Sequence, residues 1–272
     1  LEGLAGVLET VSNQLTSLPI QRFDSTNGQR RLEQLFGVAT LDSFGSFTRA
    51  EVAAAGSLVD YIELTQKGKL PRLNRPESIA VGSVMGIDNS TRRNLELTRT
   101  LSGEHQGSLL SVMDQTITGP GARMLATRLS EPLTNFEVIN DRLDAVDVLV
   151  DADRLRENGR AGLRKCPDMV RALSRLTLAR GGPRDLAAVR DGLICAHDVR
   201  DLLQAATREG ITQIPDLLAA NTDDFGHHNV LIDLLCAALE EDLPLNVRDG
   251  GFIARTYSNE LDELVSLRDE SR

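Results

Sequence analysis

The sequence has no tryptophan and only two tyrosines and seven phenylalanines among 272 residues. Exposed bases are gripped by stacking on aromatic faces, so a single-strand nucleic-acid platform is poorly provided for. Positive charge is also in deficit, with 30 lysines and arginines against 40 aspartates and glutamates, a formal net charge of −10. Duplex affinity comes mostly from basic side chains replacing counterions at phosphates, so the balance argues against an unaided DNA binder. Three cysteines, Cys166, Cys195 and Cys236, contain no Cys-x-x-Cys pair. They read as reduced, mostly buried thiols of a cytosolic protein rather than a disulfide framework. No apolar run reaches the roughly 20 residues needed to cross a bilayer. The chain opens LEGLAGVLETV, without an initiating methionine or a basic signal start, and finishes abruptly at SLRDESR. It reads as a piece of something longer. Neither a G-x-x-x-x-G-K-[ST] phosphate loop nor a Gly-x-Ser-x-Gly nucleophile turn is present, and there is no internal repeat or low-complexity tract.

What the chain does have is helical patterning, and length enough for a real core in one large domain or two. Residues 1 to about 20 place Leu4, Val7, Leu8, Val11 and Leu15 at helical spacing before Pro19. RRLEQLFGVATLDSFG holds a short apolar piece around Leu35, Phe36 and Val38, where one strand is expected. Glu51 to Gln66 reads as an Ala-rich helix in which Ala53, Ala54, Ala55 and Gly56 permit close approach to a neighbour. KGKLPRLNRP follows as a linker, and SIAVGSVMGID as a short strand.

The centre of the chain is MGIDNSTRRNLELTRTLSGEHQGSLLSVMDQTITGPGARMLATRLSEPL, Met85 to Leu133. Three helices are expected there. The first is capped at Asp88–Ser90, carries Leu95 and Leu97 and stops at Gly103. The second is capped by Ser108. The third starts at Thr118–Gly119–Pro120–Gly121 and carries Ala122, Leu125, Ala126 and Leu129 on one face. Asn135 then caps a long helix with Ile139, Leu143, Val146 and Val150 on one stripe. Cys166–Pro167–Asp168 begins another with Met169, Leu173 and Leu176, stopped by Gly181 and Gly182. Pro183 restarts the chain with Leu186, Val189, Leu193 and Ile194. Two helices lie around AANTDDFGHHN, Pro244 ending the second. Asp249–Gly250–Gly251 makes a tight reversal, and Ser258 caps a last helix.

Asp223, Asp224, His227 and His228 come nearest to a metal set. Consecutive histidines on a helix point about 100° apart, so helix capping by the acids and solvent exposure of the rings is preferred. Glu240, Glu241 and Asp242, like Asp262 and Glu263, read as solvated faces of helices rather than an acid–base pair. His105, beside Ser102, Glu104 and Ser108, reads as a loop histidine. Arg92, Arg93, Arg123, Arg128, Arg184 and Arg190 are spread over separate helices, which favours pairing with acids on adjacent helices over a phosphate stripe. The assignment is therefore no catalytic, no cofactor-binding and no metal residue.

The order of the words DNSTRRNLEL, GSLL-VMD-T-T, GARML and EPL resembles the start of the lever, or core, domain of the bacterial MutS mismatch-recognition family. ARGGPRDLAAVRDGL (Ala179 to Leu193) and RDGGFIARTYSNELDEL (Arg248 to Leu264) extend the likeness, and FGV--L--FG with its Ala-rich helix resembles the end of the family's connector domain. Departures are Gly119–Pro120 where the family usually has Pro and an apolar residue, Arg128 where Trp is common, and Thr256 where Gly is common.

The resemblance implies a mainly α chain: a long-helix lever domain of MutS type, preceded by a small incomplete α/β remnant of the connector. Residues 1–73 would be the end of the connector, 74–193 the core, and 194–272 lever helices and the base of the clamp. The unpartnered strand of the remnant would be disordered or would pair with other chains. The parent would bind mismatched double-stranded DNA as a homodimer, use ATP and Mg, recruit MutL, and work in the cytoplasm. This piece would hold no cofactor, cross no membrane, hydrolyse no ATP and bind little DNA alone, transmitting rotation between the ATPase and the clamp. The alternatives are an independent helical interaction module or adaptor, and a metal-dependent hydrolase using His227 and His228.

Overall fold

A computed structural model describes residues 16–68, 70–78, 83–210 and 213–270, the side chain of Asp269 excepted. The helix expected before Pro19 falls largely outside them. Twelve α-helices and no sheet occur among the described residues, and extended pairing there is limited to the isolated bridges Val84–Leu133 and Leu239–Ile253. The chain divides into two compact units, Leu1–Ile79 and Ala80–Arg272.

In the first unit, Asp24 accepts the Thr26 and Asn27 N–H groups to start α1 (Ser25–Phe36), and Gly37 closes it in the left-handed region at φ 64°. Thr48 and Glu51 exchange hydrogen bonds as a capping box for α2 (Arg49–Thr65). The strand expected around Leu35, Phe36 and Val38 is not formed. Leu35 and Phe36 continue the apolar stripe begun by Leu32 and end α1, packing on a core of Leu32, Leu41 and Val59. A short apolar run carries no period of its own, and here the amphipathic helix before it decides the outcome. Nor does this segment leave strand edges to be paired.

The helices cross at glycine. A Cβ on Gly56 would lie 2.2 Å from the Gly28 Cα, and one on Gly28 would lie 2.7 Å from the Val52 carbonyl oxygen. The small residues of the second helix therefore allow the expected close approach, with Gly56 at the contact. Arg31 donates to the Gly56 carbonyl at 3.0 Å and to Asp60 at 2.7 Å, and Arg22 reaches the same carboxylate at 2.6 Å.

The second unit begins with Asp88 capping α3 (Asn89–Asn94) and Ser108 capping α4 (Leu109–Met113). The first of these is shorter than expected and does not run to Gly103. Glu96 turns to φ 48°, and the carbonyls of Glu96 and Leu97 accept the Leu109 and Leu110 N–H groups at 3.0 and 2.9 Å. Those donors are orphans of the next helix's first turn, so the backbone that would have extended one helix instead caps another. Thr118 accepts the Gly121 N–H to start α5 (Gly119–Ser130), with Ala122, Leu125, Ala126 and Leu129 half-buried on the inner face.

Asn135 caps α6 (Phe136–Asp151), and after a one-residue break at Ala152 the chain continues as α7 (Asp153–Leu163). Ala145 is the buried residue of α6. The stripe of Leu143, Val146 and Val150 faces outward, 54%, 54% and 57% exposed. Then come α8 (Met169–Thr177), capped by Asp168, and α9 (Pro183–Arg208), capped by Gly182 with Pro183 in its first turn. The stop of α8 precedes the glycines: Ala179 takes φ 54° itself, and Arg180 N–H closes onto the Arg175 carbonyl. The rest is α10 (Asp216–Asp223), α11 (Asn229–Ala238) and α12 (Asn259–Glu270), with Gly250 and Gly251 at φ 66° and 68° in the reversal before the last.

Candidate functional site

The core of the second unit lies where α8, α9 and α11 meet. Ala172, Ala187, Val189, Leu235 and Leu239 are buried there, with Met169, Leu176, Leu186, Leu193, Leu243 and Phe252 packed around them. Gly192 sits in the middle of α9, where glycine costs roughly 0.5–1 kcal/mol relative to alanine. Its place is explained by Met169, whose Sδ would stand 3.0 Å from an added Cβ.

Around this core, helix ends are tied to neighbouring elements by guanidinium groups. Arg92 donates to the Ser130 carbonyl at 2.7 Å, closing the end of α5. Arg156 reaches the Leu149 and Val150 carbonyls at 2.6 and 2.8 Å and closes α6 from α7. Arg160 donates to Gln115 at 3.0 Å, Arg184 to Leu243 at 3.0 Å and Arg200 to Gly226 at 3.0 Å. Arg123 pairs with Asp168 at 2.8 Å, joining α5 to the cap of α8, and Arg175 holds both Asp185 oxygens across the α8–α9 joint. The ties to Ser130, Leu149 and Val150 use carbonyls that a helix terminus leaves without an internal partner.

The expected pairing of lever arginines with acids on adjacent helices therefore holds for Arg123, whereas Arg190 meets Asp191 of its own helix at 2.8 Å. Arg92 and Arg184 bond backbone carbonyls instead. Arg128 lies near Arg142, and burial, aided by that like charge, draws its pKa down. Sequence reasoning missed Arg156, Arg160, Arg175 and Arg200. A signal for them was available: three lysines against 27 arginines. A planar fork with five fixed donors suits carbonyl clasps better than an ammonium does.

The other candidates do not assemble into chemistry. Asp223 ends α10 and Asp224 follows it, while the residue preceding α11 is His228, without a side-chain cap bond. The acids thus stand at a helix C-terminus, where Asp224 is the cap residue and its N–H closes onto the Ala220 carbonyl. His227 Nδ1 lies 3.4 Å from Arg200, beside the Gly226 turn. Among the described residues no group of three or more His, Cys, Asp or Glu side chains is placed to hold a metal ion.

Glu240 is not on a helix face either, since α11 stops at Ala238. Its N–H donates to Phe252 at 3.0 Å, forming the Leu239–Ile253 bridge, and Oε1 accepts the Arg255 N–H at 3.4 Å. Asp262 accepts the Thr256 N–H at 2.8 Å. The Ser108 hydroxyl, fully buried, donates to the backbone carbonyl of His105 at 2.7 Å and accepts from Ser111, while Ser102 bonds Thr100. His105 and its serines are loop architecture, as expected.

Comparison with known proteins agrees with this geometry. The family model for MutS domain III matches residues 90–272, and that for MutS domain II matches residues 7–74. The chain is 51% identical over 265 residues to the DNA mismatch repair protein MutS of Cereibacter sphaeroides (strain ATCC 17025 / ATH 2.4.3), covering 97% of this chain and 30% of that protein. It is 49% identical over 269 residues to the protein of the same name from Roseobacter denitrificans, covering 99% and 30%. The MutS of Rhizobium meliloti is 46% identical over 270 residues, covering 99% and 29%. The chain thus spans under a third of the length of these curated relatives.

Proposed function

The chain belongs to the MutS family, and from that premise we propose that it is the connector-to-lever portion of a DNA mismatch repair protein, a mechanical rather than a catalytic part. The observation that carries this reading is the set of arginine clasps, which tie one helix end to the next around the α8–α9–α11 core. Helices joined this way turn together, because a helix is a stiff rod at 1.5 Å per residue and its freedom lies at the joints. The 26 residues of α9 are the longest such rod among the described residues.

In this reading residues 1–73 close the connector, 74–193 form the core, and 194–272 carry lever helices toward the clamp. The parent binds mismatched double-stranded DNA as a homodimer in the cytoplasm, uses ATP and Mg at a site outside these residues, and recruits MutL. No helix among the described residues is long and apolar enough to cross a membrane. The test is direct: ATP turnover and duplex affinity of this 272-residue chain at physiological salt. Neither is expected above background, and a saturable signal in either would overturn the assignment. In the full-length parent, Arg184→Ala combined with Arg200→Ala should weaken stimulation of ATPase by mismatched duplex more than it weakens basal turnover. Equal loss in both would mean that the clasps serve stability alone.

A further inference from the structure

We propose that Cys166 and Cys195 are a disulfide-forming pair, a modification site at which a peroxide staples the α7–α8 joint to α9. Cys195 is buried, and its thiol lies 3.8 Å from the Gly162 carbonyl oxygen in the last turn of α7. The Lys165 N–H closes onto that same Gly162 carbonyl at 3.0 Å and the Cys166 N–H onto Leu163 at 3.0 Å, so the turn leaving α7 sets Cys166 beside it, with its thiol 3.7 Å from the Pro167 carbonyl oxygen. Burial first, and then the neighbouring Cys166 thiol, raise the pKa of Cys195. Cys166 is half-buried and open to a small oxidant, while Cys236 stands exposed on α11 near Arg190. No role argued above uses either member.

The chemistry balances with hydrogen peroxide as the oxidant. Cys166 sulfur attacks one peroxide oxygen, the O–O bond breaks, and the departing hydroxide takes the thiol proton to leave as water. The Cys195 sulfur then attacks the sulfenic sulfur of Cys166. The S–S bond forms, the S–O bond breaks, and the leaving hydroxide takes the Cys195 proton as a second water. Two thiols lose two electrons in all, and one peroxide becomes two waters. Burial, with the neighbouring thiol adding to it, pushes the Cys195 thiol up to about 12. The attacking thiolate is scarce at neutral pH, so ring closure should accelerate about tenfold per pH unit.

The experiment is peroxide treatment of the 272-residue chain, alkylation of remaining thiols, and mass analysis without reductant. The expected product has lost two hydrogens, carries one alkyl group on Cys236, and yields a cross-linked peptide containing Cys166 and Cys195 that dithiothreitol separates. Its melting temperature should rise by roughly 5–10 °C. Cys166→Ser, at the half-exposed position, should abolish both changes, and Cys236→Ser neither. Sulfinic acid at Cys166 with Cys195 still alkylatable, or a cross-link through Cys236, would overturn the proposal. These readouts do not depend on any role in mismatch repair.

Discussion

Both units use guanidinium ties, Arg31 to the Gly56 carbonyl and Asp60 among them, but they differ in how closely the tied helices approach. In the first, α1 and α2 meet backbone to backbone, with Gly28 and Gly56 at the crossing and three fully buried apolar residues beside it. In the second, guanidinium groups reach across the ends of helices. A direct backbone crossing tolerates no added atom. An end-to-end clasp is a local bond whose loss leaves the core beneath it in place.

The sharpest way to break that contrast is at the glycine crossing. Gly56→Val would put its Cβ 2.2 Å from the Gly28 Cα, a distance that the two backbones can relieve only by separating. The expected loss is about 3 kcal/mol or more, enough to unfold the first unit. Amide exchange should show protection vanishing across 25–65 while 183–208 keeps its own. Retained protection over 25–65 would mean that the crossing is not what holds the pair.

Arg200→Ala probes the other side of the contrast. The Arg200 side chain is only 14% exposed and bonds the Gly226 carbonyl at 3.0 Å. Its removal should cost about 1.5–2 kcal/mol, as for a charge-assisted bond whose acceptor is left behind. Exchange should quicken at 216–229 with little change elsewhere. A loss spread over the whole second unit would show that this clasp belongs to the core.

How much of this was legible beforehand follows from range. Caps at Asp88, Ser108, Thr118 and Asn135 were readable because each is a contact between a side chain and N–H groups two or three residues on. These four helices therefore start where expected. The strand misread at Leu35–Val38 and the overlong α3 share one cause: their ends are set by partners outside the local window, the Leu41–Val59 core in one case and Leu109 and Leu110 in the other. The clasps escaped for the same reason, since Arg184 and Leu243 are far apart in sequence. The break at Ala152 had no glycine or proline to announce it.

One strained residue refines the comparison further. Thr256 sits at φ 74°, a conformation that a β-branched residue adopts only under strain. The first unit thus keeps glycine where contact demands it, whereas the second sets threonine where the backbone asks for glycine. Thr256→Gly should stabilise the second unit by about 1 kcal/mol, the relief of a left-handed conformation set against the added freedom of the unfolded chain. The N–H bond from this position to Asp262 would persist. Thermal melting should move up by a few degrees; a fall would show that the threonine side chain is needed where it stands.

The smallest effect concerns the cap that opens the second unit's helices. Asp88 accepts the Ser90 and Thr91 hydroxyls at 2.5 and 2.6 Å and both of their N–H groups at 2.9 Å. The Ser90 hydroxyl first, then the Thr91 hydroxyl and N–H, hold its carboxyl well below the usual aspartate range. The folded state therefore binds this proton less readily than the unfolded chain does, and stability rises with pH wherever the unfolded chain carries more protons. The cap's contribution is complete above the ordinary aspartate pKa of about 3.9 and fades as pH falls through the lower, folded value. Melting followed from pH 6 down to pH 2 should show Asp88→Ser losing less stability than the parent chain, because a serine hydroxyl caps α3 without titrating. Equal acid sensitivity in the two would leave Asp88 no special share in it, even though its hydrogen bonds are the same ones that begin α3.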